Sequence, residues 1–259
     1  MRGFRLLALV AGVLGGLTGV AYGLVSEQSR RARVVIGAPE APPLRADGVY
    51  GDGAGTPVRF AVLGDSMAAG LGVDDPAELP GVVLATGLAD EVGAPVRLET
   101  HAISGSTSRD LAAQVDRVVA DPPDVALVII GGNDVTTRLS IPGSAALLGA
   151  QVRRLRAAGV GVVVGTCPDL GTVRPIPEPA RSVAREWSRR LARAQRVEVE
   201  RAGGVAVALG DLLAAEFRAR HADYFSRDRF HPSAAGYEAA TSILLAPLCG
   251  VLRHEWWPR

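Results

Sequence analysis

VRFAVLGDSMAAG, residues 58–70, is an apolar, β-branched run that breaks at Gly64-Asp65-Ser66 and resumes in small, helix-compatible residues. A short apolar run closed by a turn glycine reads as a buried strand. A serine between such a run and an alanine-rich segment is a favoured helix N-cap, so Ser66 has two readings, cap or nucleophile. Residues elsewhere in the chain have to decide between them.

Four further runs share the character of Val58–Gly64: Val96–His101, Asp124–Ile130, Val160–Gly165 and Gly204–Leu209. Helical patterns separate them. Leu111, Val115 and Val118 repeat at i, i+4, i+7, as do Leu148, Val152 and Leu155, and Val183, Trp187 and Leu191 keep a four-residue spacing. Strands alternating with helices predict parallel βαβ units. The expected fold class is α/β, a three-layer α/β/α sandwich on a five-stranded parallel sheet, with its ligand site beyond the carboxyl ends of the strands.

Polar blocks fall on that one edge. Gly64-Asp65-Ser66 ends the first run, ISGSTS (Ile103–Ser108) follows the second, and GGND (Gly131–Asp134) ends the third. A fourth block, DRFHPSAAGY (Asp228–Tyr237), follows the fifth run and opens the last helix, with Pro232 expected in its first turn.

This set resembles the SGNH, or GDSL-type, hydrolase family, whose blocks here are Gly64-Asp65-Ser66, Gly105, Gly131-Gly132-Asn133-Asp134 and Asp228-Arg229-Phe230-His231-Pro232. Met67 stands where the family often has Leu. Ala68 excludes the different Gly-x-Ser-x-Gly elbow of the α/β-hydrolases. The resemblance implies the flavodoxin-like SGNH hydrolase fold over residues 58–250 and a serine ester hydrolase. Block two is most similar to the small lysophospholipase and thioesterase branch, which implies fatty acyl esters or thioesters as small-molecule substrates.

The residue types suit that chemistry. A neutral serine hydroxyl needs a base to take its proton, a group to orient the base and donors for the oxyanion. Ser66 is the candidate nucleophile, His231 the base, and Asp228, three residues earlier, the carboxylate that one turn can bring to Nδ1–H. The resemblance implies an oxyanion hole of the Ser66 and Gly105 backbone N–H groups and the Asn133 side-chain amide. Ser66 at a helix N-terminus would add the favourable end of the helix dipole. Asp65 and Asp134 read as capping carboxylates.

No cofactor is implied. A metal-dependent phosphoesterase needs clustered ligands, yet neither His-x-x-x-His nor Asp-x-His occurs, so no metal ligands are assigned. A formal net charge of +1 and the lack of basic or zinc-finger motifs argue against nucleic acid as a partner. Two alternatives stay open at this level, a carbohydrate O-deacetylase of the cell envelope and a non-catalytic envelope protein that keeps the fold.

Arg2 and Arg5 precede a charge-free run, Leu6–Val25, long enough to cross a bilayer. Residues 1–30 are therefore expected to be a signal anchor or signal peptide, spanning near 6–25, that places an exported protein in the envelope. Residues 31–57, rich in Pro and Gly, are expected to be a linker, and 251–259 a C-terminal tail. Oligomeric state does not follow from the sequence.

The arginines between Arg181 and Arg193 read as a solvated helix face. Cys167 and Cys249 are expected to be free, buried thiols, since one follows a strand on the active edge and the other lies about 24 Å down a helix leaving it. The Pro-rich loop Cys167–Arg181 offers Leu170, Val173 and Ile176 as linings of an acyl pocket.

Overall fold

Side-chain alternation along the strands sets the layers of this protein. Its computed structural model describes residues 23–24, 26–28, 30–31, 34 and 43–256. In chain order the first half gives β1 (Gly48–Tyr50), β2 (Val58–Gly64), α1 (Pro80–Val92), β3 (Val96–Thr100), α2 (Leu111–Ala120), β4 (Val125–Ile129) and α3 (Gly132–Thr136). The second half gives α4 (Ile141–Ala157), β5 (Gly161–Gly165), α5 (Ala180–Arg201), β6 (Val205–Val207), α6 (Leu209–Ala219), α7 (His221–Tyr224) and α8 (Ala234–Trp256).

Val58, Phe60 and Val62 of β2 join one buried cluster, whereas Ala61 and Leu63 join a second. β4 divides the same way, with Val125, Leu127 and Ile129 on one face and Ala126 and Val128 on the other. Leu84 and Leu88 of α1 and Leu244 and Leu248 of α8 close the first cluster; Leu111, Val115 and Val118 of α2 and Leu148, Val152 and Leu155 of α4 close the second. Period-2 strands buried on both faces require helices on both sides, and the result is the expected α/β/α sandwich.

The sheet has six strands rather than five, in the order β1-β3-β2-β4-β5-β6, and β2 to β6 are parallel. The addition is β1, which pairs antiparallel with Val96–Leu98 at the edge of β3. It falls inside the stretch read as a linker. Three residues among glycines show no hydrophobic period, so pairing has to hold them, helped by Asp47, which accepts from Thr100 N at 2.9 Å.

Two other expectations shift. In α5 the buried stripe is Ala180, Ser188, Leu191, Gln195 and Val199, and Val183 is exposed, because polar side chains occupy inward positions that an apolar pattern does not count. α8 runs on to Trp256, through much of the expected tail, and begins at Ala234, so Pro232 precedes the helix and bridges to Phe225 instead. The Ala234–Leu252 stretch of α8 is long and apolar enough to cross a membrane. Its Tyr237, Ala240, Leu244, Leu248 and Leu252 are nonetheless buried on the sheet, which makes it a core helix. The span expected near 6–25 lies outside the described residues apart from the helical Gly23 and Leu24.

Candidate active site

From β2 the chain adds β3 on one side and then crosses to add β4 on the other. That reversal is the switch point at which an open α/β sheet forms a crevice, and Ser66 stands just past the end of β2 within it. The buried Gln114 amide of α2 clamps the strand end, accepting from Gly64 N at 2.8 Å and donating to Gly64 O at 2.9 Å. Ser66 is thereby held at a fixed exit from the sheet.

The segment after Ser66 is a series of turns and not the expected helix. Gly70 and Gly72 adopt φ of 77° and 113°, left-handed values that end any helical run before a second turn forms. Leu71 O accepts from the buried Tyr237 hydroxyl at 2.8 Å, which ties these turns to α8. The helix dipole expected behind Ser66 is therefore absent, and its amide is a turn N–H without a protein acceptor among the described residues.

His231 and Asp228 reach Ser66 from the loop before α8. His231 Nε2 lies 2.9 Å from Ser66 Oγ, and Asp228 Oδ2 lies 2.6 Å from His231 Nδ1. The other Asp228 oxygen accepts from Ser226 Oγ at 2.8 Å, Phe230 N at 2.8 Å and His231 N at 2.9 Å. Partial burial would raise this carboxyl, but its bonds from the His231 ring and from the Phe230 and His231 amides outweigh that and hold it far below the usual carboxylate range. Asp228 therefore stays ionised beside the imidazole.

Asn133 opens α3 and donates from Nδ2 to Ser106 O at 3.0 Å. Its second N–H is left for another acceptor. Gly105 lies in the exposed loop after β3, between Ile103, whose N–H donates to Gly64 O at 3.1 Å, and Ser106. Its amide has no protein acceptor among the described residues. Ser66, Asn133 and His231 line one cleft; Gly105 sits outside that lining.

Asp65 and Asp134 bond backbone N–H groups of turns and not of helix starts. Asp134 accepts from Ser108 N at 3.3 and 3.2 Å through its two oxygens, and Asp65 from Met67 N at 3.0 Å. Burial pushes Asp65 up to about 7. An acid whose native pKa lies above its unfolded value gives stability that is complete below the unfolded value of 3.8 and lost as pH rises through 7. Relative to Asp65→Asn, the wild type is expected to lose about 2–3 kcal/mol between pH 5 and pH 8, read by urea unfolding of both proteins. Parallel stability curves would show that Asp65 is ionised in the native state throughout.

The cleft is partly open to solvent. Beside Ser66 it is walled by Leu170, Val173, Leu213, Phe217, Phe225 and Phe230. Leu170 and Val173 thus lie where the sequence put them. Ile176 does not: it packs into the core below the loop. Cys167 and Cys249 are buried and in no disulfide, and burial raises the Cys167 thiol well above its ordinary value.

Two glutamines escaped the sequence reading. Gln195 of α5 mirrors Gln114, donating to Ile130 O at 2.9 Å and accepting from Cys167 N at 2.8 Å, so it joins the ends of β4 and β5. Both side chains are fully buried. The available signal was a lone amide on an apolar stripe, Gln114 three residues past Leu111 and Gln195 four past Leu191.

Residues 62–239 match the GDSL-like Lipase/Acylhydrolase family. The chain is 46% identical to the GDSL-like esterase Rv1075c of Mycobacterium tuberculosis, over 95% of this chain and 83% of that protein. Among solved structures, TesA superposes with a TM-score of 0.58 at 23% identity, covering 76% of this chain and 98% of that one. Axe2, an acetylxylan esterase from Geobacillus stearothermophilus, superposes at 0.56 with 22% identity, covering 75% and 95%. These two likenesses speak for the fold.

Proposed function

The chain belongs to the GDSL-like lipase/acylhydrolase family and is a serine ester hydrolase, and from that premise we propose that Ser66, His231 and Asp228 form its catalytic triad. The substrates proposed are acyl esters or thioesters whose acyl chain lies against the apolar wall of the cleft. What carries this reading is the unbroken relay from Asp228 Oδ2 through His231 to Ser66 Oγ, at 2.6 and 2.9 Å, opening into that cleft.

In the proposed cycle His231 Nε2 takes the Ser66 proton as Oγ attacks the carbonyl carbon. The imidazolium, held by ionised Asp228, then protonates the departing alcohol or thiol. Water attacks the acyl-enzyme with His231 again as base, and the acid leaves. Negative charge on the carbonyl oxygen is met by the N–H groups of Ser66 and Gly105 and by the second N–H of Asn133. A sugar ring in the same position would set its hydroxyls against Leu213 and Phe217, which offer no partner, so the apolar wall favours an acyl chain.

A fluorophosphonate is the direct test. The folded wild type is expected to be labelled at one serine, and Ser66→Ala to lose all labelling; a folded wild type that stays unlabelled sinks the reading. Asn133→Ala is expected to keep labelling and cut kcat about 10²- to 10³-fold, the usual cost of one oxyanion donor. An unchanged kcat would remove Asn133 from the hole.

Placement in the cell is proposed from sequence. The charge-free run 6–25 acts as a membrane anchor, and the catalytic domain lies on the exported side.

A further inference from the structure

We propose that the mouth of the catalytic cleft faces the bilayer that holds residues 6–25, so that the ester is taken from the membrane rather than from bulk solution. The inference rests on the reading of that run as an anchor. It starts from where the run ends.

Val25 is its last residue, and the next positions are docked on the domain. Ser26 Oγ accepts from Arg138 Nη2 at 3.0 Å. Gln28 donates from Nε2 to Glu178 O at 2.7 Å and accepts at Oε1 from Ala180 N at 3.1 Å. A side-chain amide that pairs with both a backbone carbonyl and a backbone N–H is fixed in orientation as well as in place.

The two docking points belong to the two walls of the site. Arg138 lies two residues past α3, the helix that presents Asn133 to the cleft. Glu178 and Ala180 end the loop that contributes Leu170 and Val173 to it. The stem therefore straddles the active edge of the sheet. Residues 26–28 are helical, so Gln28 lies only about 5 Å along the chain from the end of the charge-free run.

A free linker would let the domain tumble above the membrane; these three bonds remove that freedom and turn the carboxyl edge of the sheet toward the lipid. Ile103, two residues before Gly105 on the same edge, is 49% exposed. Facing lipid, that apolar surface would leave water. An acyl chain leaving the bilayer would then meet the Phe- and Leu-lined cleft without crossing water.

The full chain, reconstituted in phosphatidylcholine vesicles that carry a doxyl-labelled lipid, tests this through an environment-sensitive fluorophore on Ile103→Cys or on Ala157→Cys. The native thiols are buried. Ala157 is the exposed last residue of α4, at the opposite edge of the sheet. The label at 103 is expected to lose most of its fluorescence to the lipid quencher and the label at 157 to keep it. Adding Gln28→Ala and Ser26→Ala should restore emission at 103. A chain that floats with the vesicles while both labels respond alike, or only 157 responds, overturns the orientation. A chain that does not float overturns the anchor and this inference together, and leaves the fluorophosphonate test of the triad untouched.

Discussion

Alanine at Ser66 or at His231 is expected to lower kcat by about 10⁶, and alanine at both to lower it little further. In the proposed triad the two side chains act as one unit across the 2.9 Å contact between Oγ and Nε2. Without the hydroxyl the base has no proton to take, and without the base the hydroxyl stays a neutral, weak nucleophile. Either deletion therefore removes the same step. What remains is the oxyanion donors and substrate binding, which are left in place. The fold has to be checked separately for His231→Ala, since His231 is buried and its loss leaves Asp228 Oδ2 without its ring partner. Thermal unfolding of all three variants serves that purpose. A folded His231→Ala protein that kept more than about a tenth of wild-type kcat would show that another group is the base.

The parts of this site that the sequence displays are those whose chemistry is local. Ser66 follows its strand directly, and Asp228 lies three residues before His231, so spacing alone can bring carboxylate and ring together. The helices of α2 and α4 are equally plain, because Leu111, Val115 and Val118, and Leu148, Val152 and Leu155, repeat on one stripe and are all buried. Features that depend on distant partners are hidden. β1 is a strand only because β3 accepts it, and Gln114 and Gln195 matter only because strand ends arrive opposite them. The turn after Ser66 failed for a different reason. Met67, Ala68 and Ala69 are acceptable in a helix, and only the left-handed glycines at 70 and 72, bound to the fold around them, decide against it.

Asp228→Asn separates orientation from mere presence at the site. The Asp228 oxygen that accepts from Ser226 Oγ and from the Phe230 and His231 amides can be reproduced by the asparagine carbonyl, so the loop should keep its shape. The amide NH₂ then occupies the Oδ2 position, 2.6 Å from Nδ1 in the wild type. A donor there requires Nδ1 to accept, which moves the ring proton to Nε2, the nitrogen facing Ser66. His231 would then point a proton at a hydroxyl whose proton it has to remove, and the imidazolium would also lose its counter-charge. The expected result is a fall in kcat of about 10⁴ with little change in KM or thermal stability, and fluorophosphonate labelling slowed in step. A kcat within about tenfold of wild type in the folded variant would show that Asp228 shapes the loop without setting the state of the ring. Loss of stability equal to that of Asp228→Ala would show instead that the amide does not reproduce the three donor bonds, so that the loop changes along with the tautomer.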